Sequence, residues 1–140
     1  MTFTQVPQDY ILREWPRVHS MLKKATDITN GRADVWEIFD ALISGEAQLW
    51  IVFDDKTPIA AITTKVKQYN GFKALFIDFV GGSRMNEWLK DVLTTLKQFA
   101  KDNGCDQLEG YGRIGWKKVL SKFGWKPEFY SYKMELDDGK

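Results

Sequence analysis

FVGGSRMNEWLKDVL, residues Phe79–Leu93, joins an apolar run to a helical pattern through two glycines. The run before it, Lys73–Val80 (KALFIDFV), has the composition of a buried strand. After it, Trp88, Leu89, Val92, Leu93, Leu96, Phe99 and Ala100 fall on one stripe of a long amphipathic helix. Two readings of the glycine turn are open. Backbone N–H groups and the helix dipole favour an anion at such a place. Gly81-Gly82-Ser83 lets the backbone approach a ligand, and Arg84 adds a charge-assisted contact. Alternatively, the glycines only permit the reversal, and Ser83 or Asn86 caps the helix.

Working outward, the spacing of Ile11, Trp15, Val18, Leu22 and Ala25 predicts a first helix to about Lys24, kinked or restarted at Pro16. Asp34 and Glu37 form a capping box for a second helix, whose apolar face is Val35, Ile38, Phe39 and Leu42. Gly45 suits its stop. Then the period changes. Gln48–Phe53 (QLWIVF) reads as a strand buried on both faces, and Ile59–Tyr69 alternates. Asn70-Gly71 is a hairpin signal leading into Lys73–Val80. Beyond the long helix, Cys105–Gly110 reads as a short strand and Trp116–Phe123 as a short helix. Tyr130, Tyr132, Met134 and Leu136 alternate as a closing strand, with DDGK as a frayed tail. The order is ααβββαβαβ. It implies an α/β (α+β) class, with a mixed, largely antiparallel twisted sheet and helices on both faces.

Composition narrows the classes. With 140 residues, one domain spanning 1–140 is expected. The net charge of +1 gives no global pull toward nucleic acid or membrane. No apolar run approaches the roughly 20 residues of a membrane span, and MTFTQVPQDY lacks the order of a signal peptide. A single cysteine, Cys105, excludes an internal disulfide and fits a reducing, cytoplasmic setting. His19 has no neighbours at metal spacing, so no metal site is expected.

The whole order, with GCDQLEGYGRIGWKKVLSKFGWK, whose strand and short helix end in the Gly-aromatic pair Gly124-Trp125, resembles the GNAT superfamily of acetyl-CoA-dependent N-acetyltransferases. LWIVFDD, FVGGSRMNEWL, GCDQLE and GRIGWKKVLSKFGW resemble a divergent GNAT-like group commonly encoded by tailed bacteriophages. The resemblance implies a cleft where the sheet splays between Lys73–Val80 and Cys105–Gly110. Acetyl-CoA would lie there, its pantetheine pairing with the backbone of Phe79 and Val80. Gly81, Gly82, Ser83, Arg84 and Asn86 would take the pyrophosphate. The family's Arg/Gln-x-x-Gly-x-Gly/Ala turn puts Arg84 at the basic position, but Glu87 and Leu89 replace the small residues. Asp78 or Glu109 is the candidate base for an amine acceptor. The acid that protonates the thiolate, commonly a tyrosine, falls at Leu120; Tyr111, Tyr130 and Tyr132 are alternative hydroxyls. Two functions follow: acyl transfer to an amine, or a non-catalytic structural or accessory protein of a phage particle, in the host cytoplasm or on the virion. In the second, the cofactor site is lost and phage structural proteins are the partners.

Two other signals are weaker. Gly110–Gly115 (GYGRIG) matches a dinucleotide-type glycine pattern, but too little chain follows for a further βαβ unit. Arg113, Lys117, Lys118, Lys122 and Lys126, interleaved with Trp116 and Trp125, suit a solvated helix face, the 3′-phosphate of CoA or, least, single-stranded nucleic acid.

Overall fold

The computed structural model describes residues 1–136. These residues form a five-stranded sheet in the order β1-β2-β3-β4-β5. The strands are β1 (Thr2–Gln5), β2 (Gln48–Asp54), β3 (Thr57–Gln68), β4 (Lys73–Gly82) and β5 (Gln107–Gly110). The first four are antiparallel, and β5 runs parallel to β4. A parallel neighbour needs a crossover, which α3 (Met85–Asp102) supplies. The mixed, largely antiparallel sheet is the one the sequence implies. Strand β1 is an addition to it. Its anchor is Phe3, whose ring stacks on Trp50 at 5.2 Å.

The two faces of β2 explain its unbroken apolar run. Leu49 and Ile51 point to one side, against α1 (Ile11–Asp27) and α2 (Val35–Ser44). Trp50 and Val52 point to the other, against the α3 stripe Trp88, Leu89, Val92, Leu93 and Leu96. Each large apolar side chain so buried contributes about 1.5–3 kcal/mol relative to exposure. The polar groups that enter this layer are satisfied: Trp50 Nε1 donates to Thr64 Oγ1 at 2.9 Å, and that hydroxyl donates to Gln48 Oε1 at 2.8 Å. Pro16 lies within a continuous α1 rather than restarting it, and the helix runs to Asp27. The Asp34 side chain accepts the Trp36 N–H at 2.8 Å, capping α2 as expected of that residue.

The chain end departs from expectation. Residues 115–121 form the short helix α4, but no strand follows it among the described residues. Tyr130, Tyr132, Met134 and Leu136 are 68%, 88%, 80% and 89% exposed, so their alternation meets no partner. A period of two makes a strand only when an edge accepts it. The observed order is therefore βααβββαβα. The expected DDGK tail lies outside the described residues.

Candidate active site

β4 outlasts β5. Pairing between them runs from Ala74↔Gln107 to Ile77↔Gly110 and stops. Among the described residues, nothing pairs with Asp78–Gly82 on that side, although β3 holds the other side as far as Ala60↔Gly82. The sheet therefore parts beside Phe79 and Val80, leaving a stretch of open backbone edge able to accept another extended chain.

Asp78 is the first residue beyond the parting. It is also a bulge. Thr63 pairs with Phe79 and Thr64 with Ile77, so Asp78 has no opposite number on β3. A bulge re-aims its side chain. Here Asp78 lines a cavity of about 170 Å³ between α2 and the sheet, with Asp34, Glu37, Ile38, Thr63 and Lys65. Burial pushes the Asp78 carboxyl above its ordinary range, against the opposing pull of Lys65 and Lys67. Lys65 Nζ lies 3.7 Å from Asp78 and 3.8 Å from Glu46. A carboxylate raised in this way is tuned in the direction a general base needs.

The other catalytic candidates lie elsewhere. Glu109 is opposite Phe76 and does not line the cavity. Its two oxygens accept the Tyr69 hydroxyl and the Gln107 amide, each at 2.8 Å. Tyr111 is 86% exposed, its ring edge-on to Phe76 at 5.0 Å. Leu120 is half-buried against the core on the α3 side. The Cys105 thiol is pushed up by burial, away from nucleophilic character. No cluster of metal-ligating side chains occurs among the described residues.

The turn opens two residues later than the sequence suggests, because Gly81 and Gly82 are the last residues of β4. Both are required by packing. A Cβ on Gly81 would overlap the Met21 carbonyl of α1, and one on Gly82 would overlap the Ile59 carbonyl of β3. Gly82 also has φ of 131°. Neither Ser83 nor Asn86 caps α3. Instead Arg84 precedes the helix in the left-handed region, at φ 60°, and no side chain caps the end. Ser83 is fixed through its backbone, its N–H donating to Ile59 O and its carbonyl accepting the Trp88 indole N–H. Two carboxylates hold Arg84: Nη1 is 2.6 Å from Asp54 Oδ2, and Nε is 2.8 Å from Glu87 Oε2. The guanidinium keeps both acids below the usual carboxylate range and is itself stabilised as a cation. The turn thus carries one cation and two anions. Leu89, at the second of the altered small positions, is buried in the core.

Sequence reasoning named Asp78, Phe79, Val80, Gly81, Gly82, Ser83, Arg84 and Asn86. The structure strings all eight along the β4 end and its turn into α3. The sequence did not point to Thr63 and Lys65, which lie on the face of β3 opposite Ala60 and Ile62 and line the cavity. It also missed Asp54, which reads as plain turn chemistry.

No protein-family model matches the sequence, and no curated protein matches it. Solved structures do match in fold. A probable acetyltransferase is similar with a TM-score of 0.75 at 12% identity, covering 99% of this chain and 100% of the other. A ribosomal-protein-alanine N-acetyltransferase from Brucella melitensis biovar Abortus 2308 gives 0.72 at 12% identity, covering 97% and 100%. An aminoglycoside N-acetyltransferase in complex with CoA gives 0.69 at 14% identity, covering 97% and 95%. The chain has the fold of these acetyltransferases.

Proposed function

We propose that the protein transfers an acyl group from acyl-CoA to an amine. One observation carries the reading: the free edge of β4 at Asp78–Gly82 begins at a bulged, partly buried carboxylate that lines a cavity. Pantetheine would pair along Phe79 and Val80, bringing the thioester beside Asp78. Asp78 would take the proton from the attacking amine, and the tetrahedral intermediate would collapse with loss of the CoA thiolate. The pyrophosphate would meet the Ser83–Asn86 turn, with Arg84 released in part from Glu87. The fold likeness, including the CoA-bound neighbour, supports the cofactor class. Leu120 supplies no proton, so the thiolate would take its proton from water or from the Asp78 carboxyl that received it from the amine.

A second reading is favoured by the Arg84 clamp, which leaves the turn with a net negative side-chain charge. There the domain is a non-catalytic acetyltransferase-like protein that acts as a structural or accessory part of a tailed-phage particle. Calorimetric titration with acetyl-CoA separates the two. Saturable heat and a raised melting temperature are expected of the transferase. No heat and no shift at roughly millimolar ligand, far above a useful Kd, would leave the second reading.

A further inference from the structure

The cavity between α2 and the β4 bulge has a chemistry of its own. Its walls are apolar at Ile38, Ala41 and Phe79. Around them stand three carboxylates, Asp34, Glu37 and Asp78, against one ammonium, Lys65. That lysine already shares its charge between Asp78 and Glu46. A second observation is independent of this charge. Thr63 lines the same cavity and is 1% exposed, yet its Oγ1 is the only buried side-chain polar atom among the described residues without a hydrogen-bond partner. A buried polar atom left unpaired is destabilising, and this one is placed to accept from a ligand donor.

We propose that this cavity binds the ammonium end of a short, aliphatic primary amine. The ammonium would donate to Thr63 Oγ1 and to Asp78, and its stem would lie against Ile38, Ala41 and Phe79. The size agrees: about 170 Å³ is close to the ~150 Å³ cavity that admits a six-carbon ring. The stem of an ammonium with four or five carbons therefore fits against the apolar wall. The proposal names the acceptor class of the transfer reading and takes its biological meaning from that reading, but amine binding itself needs no acyl donor.

The test uses the full chain without CoA. n-Butylammonium, n-butanol and Nα-acetyl-lysine amide are titrated against 15N-labelled protein by NMR, with Thr63→Val alongside. Saturable shifts at Thr63, Lys65 and Asp78 are expected with butylammonium and not with butanol. Thr63→Val keeps the volume and removes the unpaired hydroxyl, so it should melt no lower than the parent. It should weaken butylammonium roughly tenfold, as loss of a hydrogen bond to a charged group does. If the lysine amide binds as tightly as butylammonium, the amine comes from a protein side chain; if it binds more weakly, from a free amine. Equal binding of butanol, or unchanged affinity in Thr63→Val, overturns the proposal. Amine binding without acetyl-CoA binding would sink the transfer reading and leave this one; the reverse would do the opposite.

Discussion

Asp78 owes its chemistry to an unpaired position in a ladder rather than to its neighbours in sequence. The bulge turns it toward the cavity, and burial raises its carboxyl. Asp78→Asn should lower acyl transfer roughly 10²–10⁴-fold, the usual worth of a general base, as read from initial rates. Stability should move the other way. A carboxyl whose folded pKa lies above its unfolded value favours folding fully below about pH 4 and loses that contribution as pH rises. Asp78→Asn should therefore melt higher than the parent near pH 7, the difference closing below about pH 4. Arg84 gives a second residue-scale outcome. Glu87→Gln removes one anion from the turn, and acetyl-CoA should bind roughly two- to fivefold tighter, the effect of one charge at a helix N-terminus. Weaker binding in that variant would mean the pyrophosphate does not meet this turn. Gly81→Ala forces a methyl against the Met21 carbonyl. A loss of about 1–3 kcal/mol in urea denaturation is expected, as for other overpacked sites.

Among the elements, periodicity carried most of the information. The α1 and α3 stripes and the two-sided run of β2 stand where their patterns place them, and the strand–glycine–helix passage is present with its turn two residues later. What escaped depended on distant partners. β1 is four residues, TFTQ, and exists because β2 offers an edge to it. The bulge at Asp78 is a register relation between two strands, which neither strand's sequence contains. Tyr130–Leu136 shows the converse: a clean alternation without an accepting edge. Hydrogen exchange tests this directly. Amides of residues 127–136 should exchange within the earliest time points, while those of Leu49–Val52 and Ala60–Thr64 stay protected. Protection of the terminal segment equal to that of β3 would show that it is paired in solution.

For the molecule as a whole, two cores on opposite faces of one sheet fix where the sheet can open. α1 and α2 pack one face and α3 the other, and β4, held on both faces, extends past its last neighbour. Solved acetyltransferases at 10–14% identity share the fold over 95% or more of both chains. The fold thus persists where roughly one residue in eight is identical, as expected when cores keep their volume and apolar patterning rather than their sequence. The location of the candidate site at the end of β4 was legible because the strand–glycine–helix passage follows from the order of elements. Its charge state was not, because Arg84 finds Asp54 from thirty residues away. The central claim is that the parting of β4 from β5 receives acyl-CoA. An NMR titration of 15N-labelled protein with acetyl-CoA tests it most directly. The account predicts saturable shifts concentrated at the amides of Asp78–Arg84 and Gly110. Shifts confined to the basic surface of α4, or none at all, would contradict it.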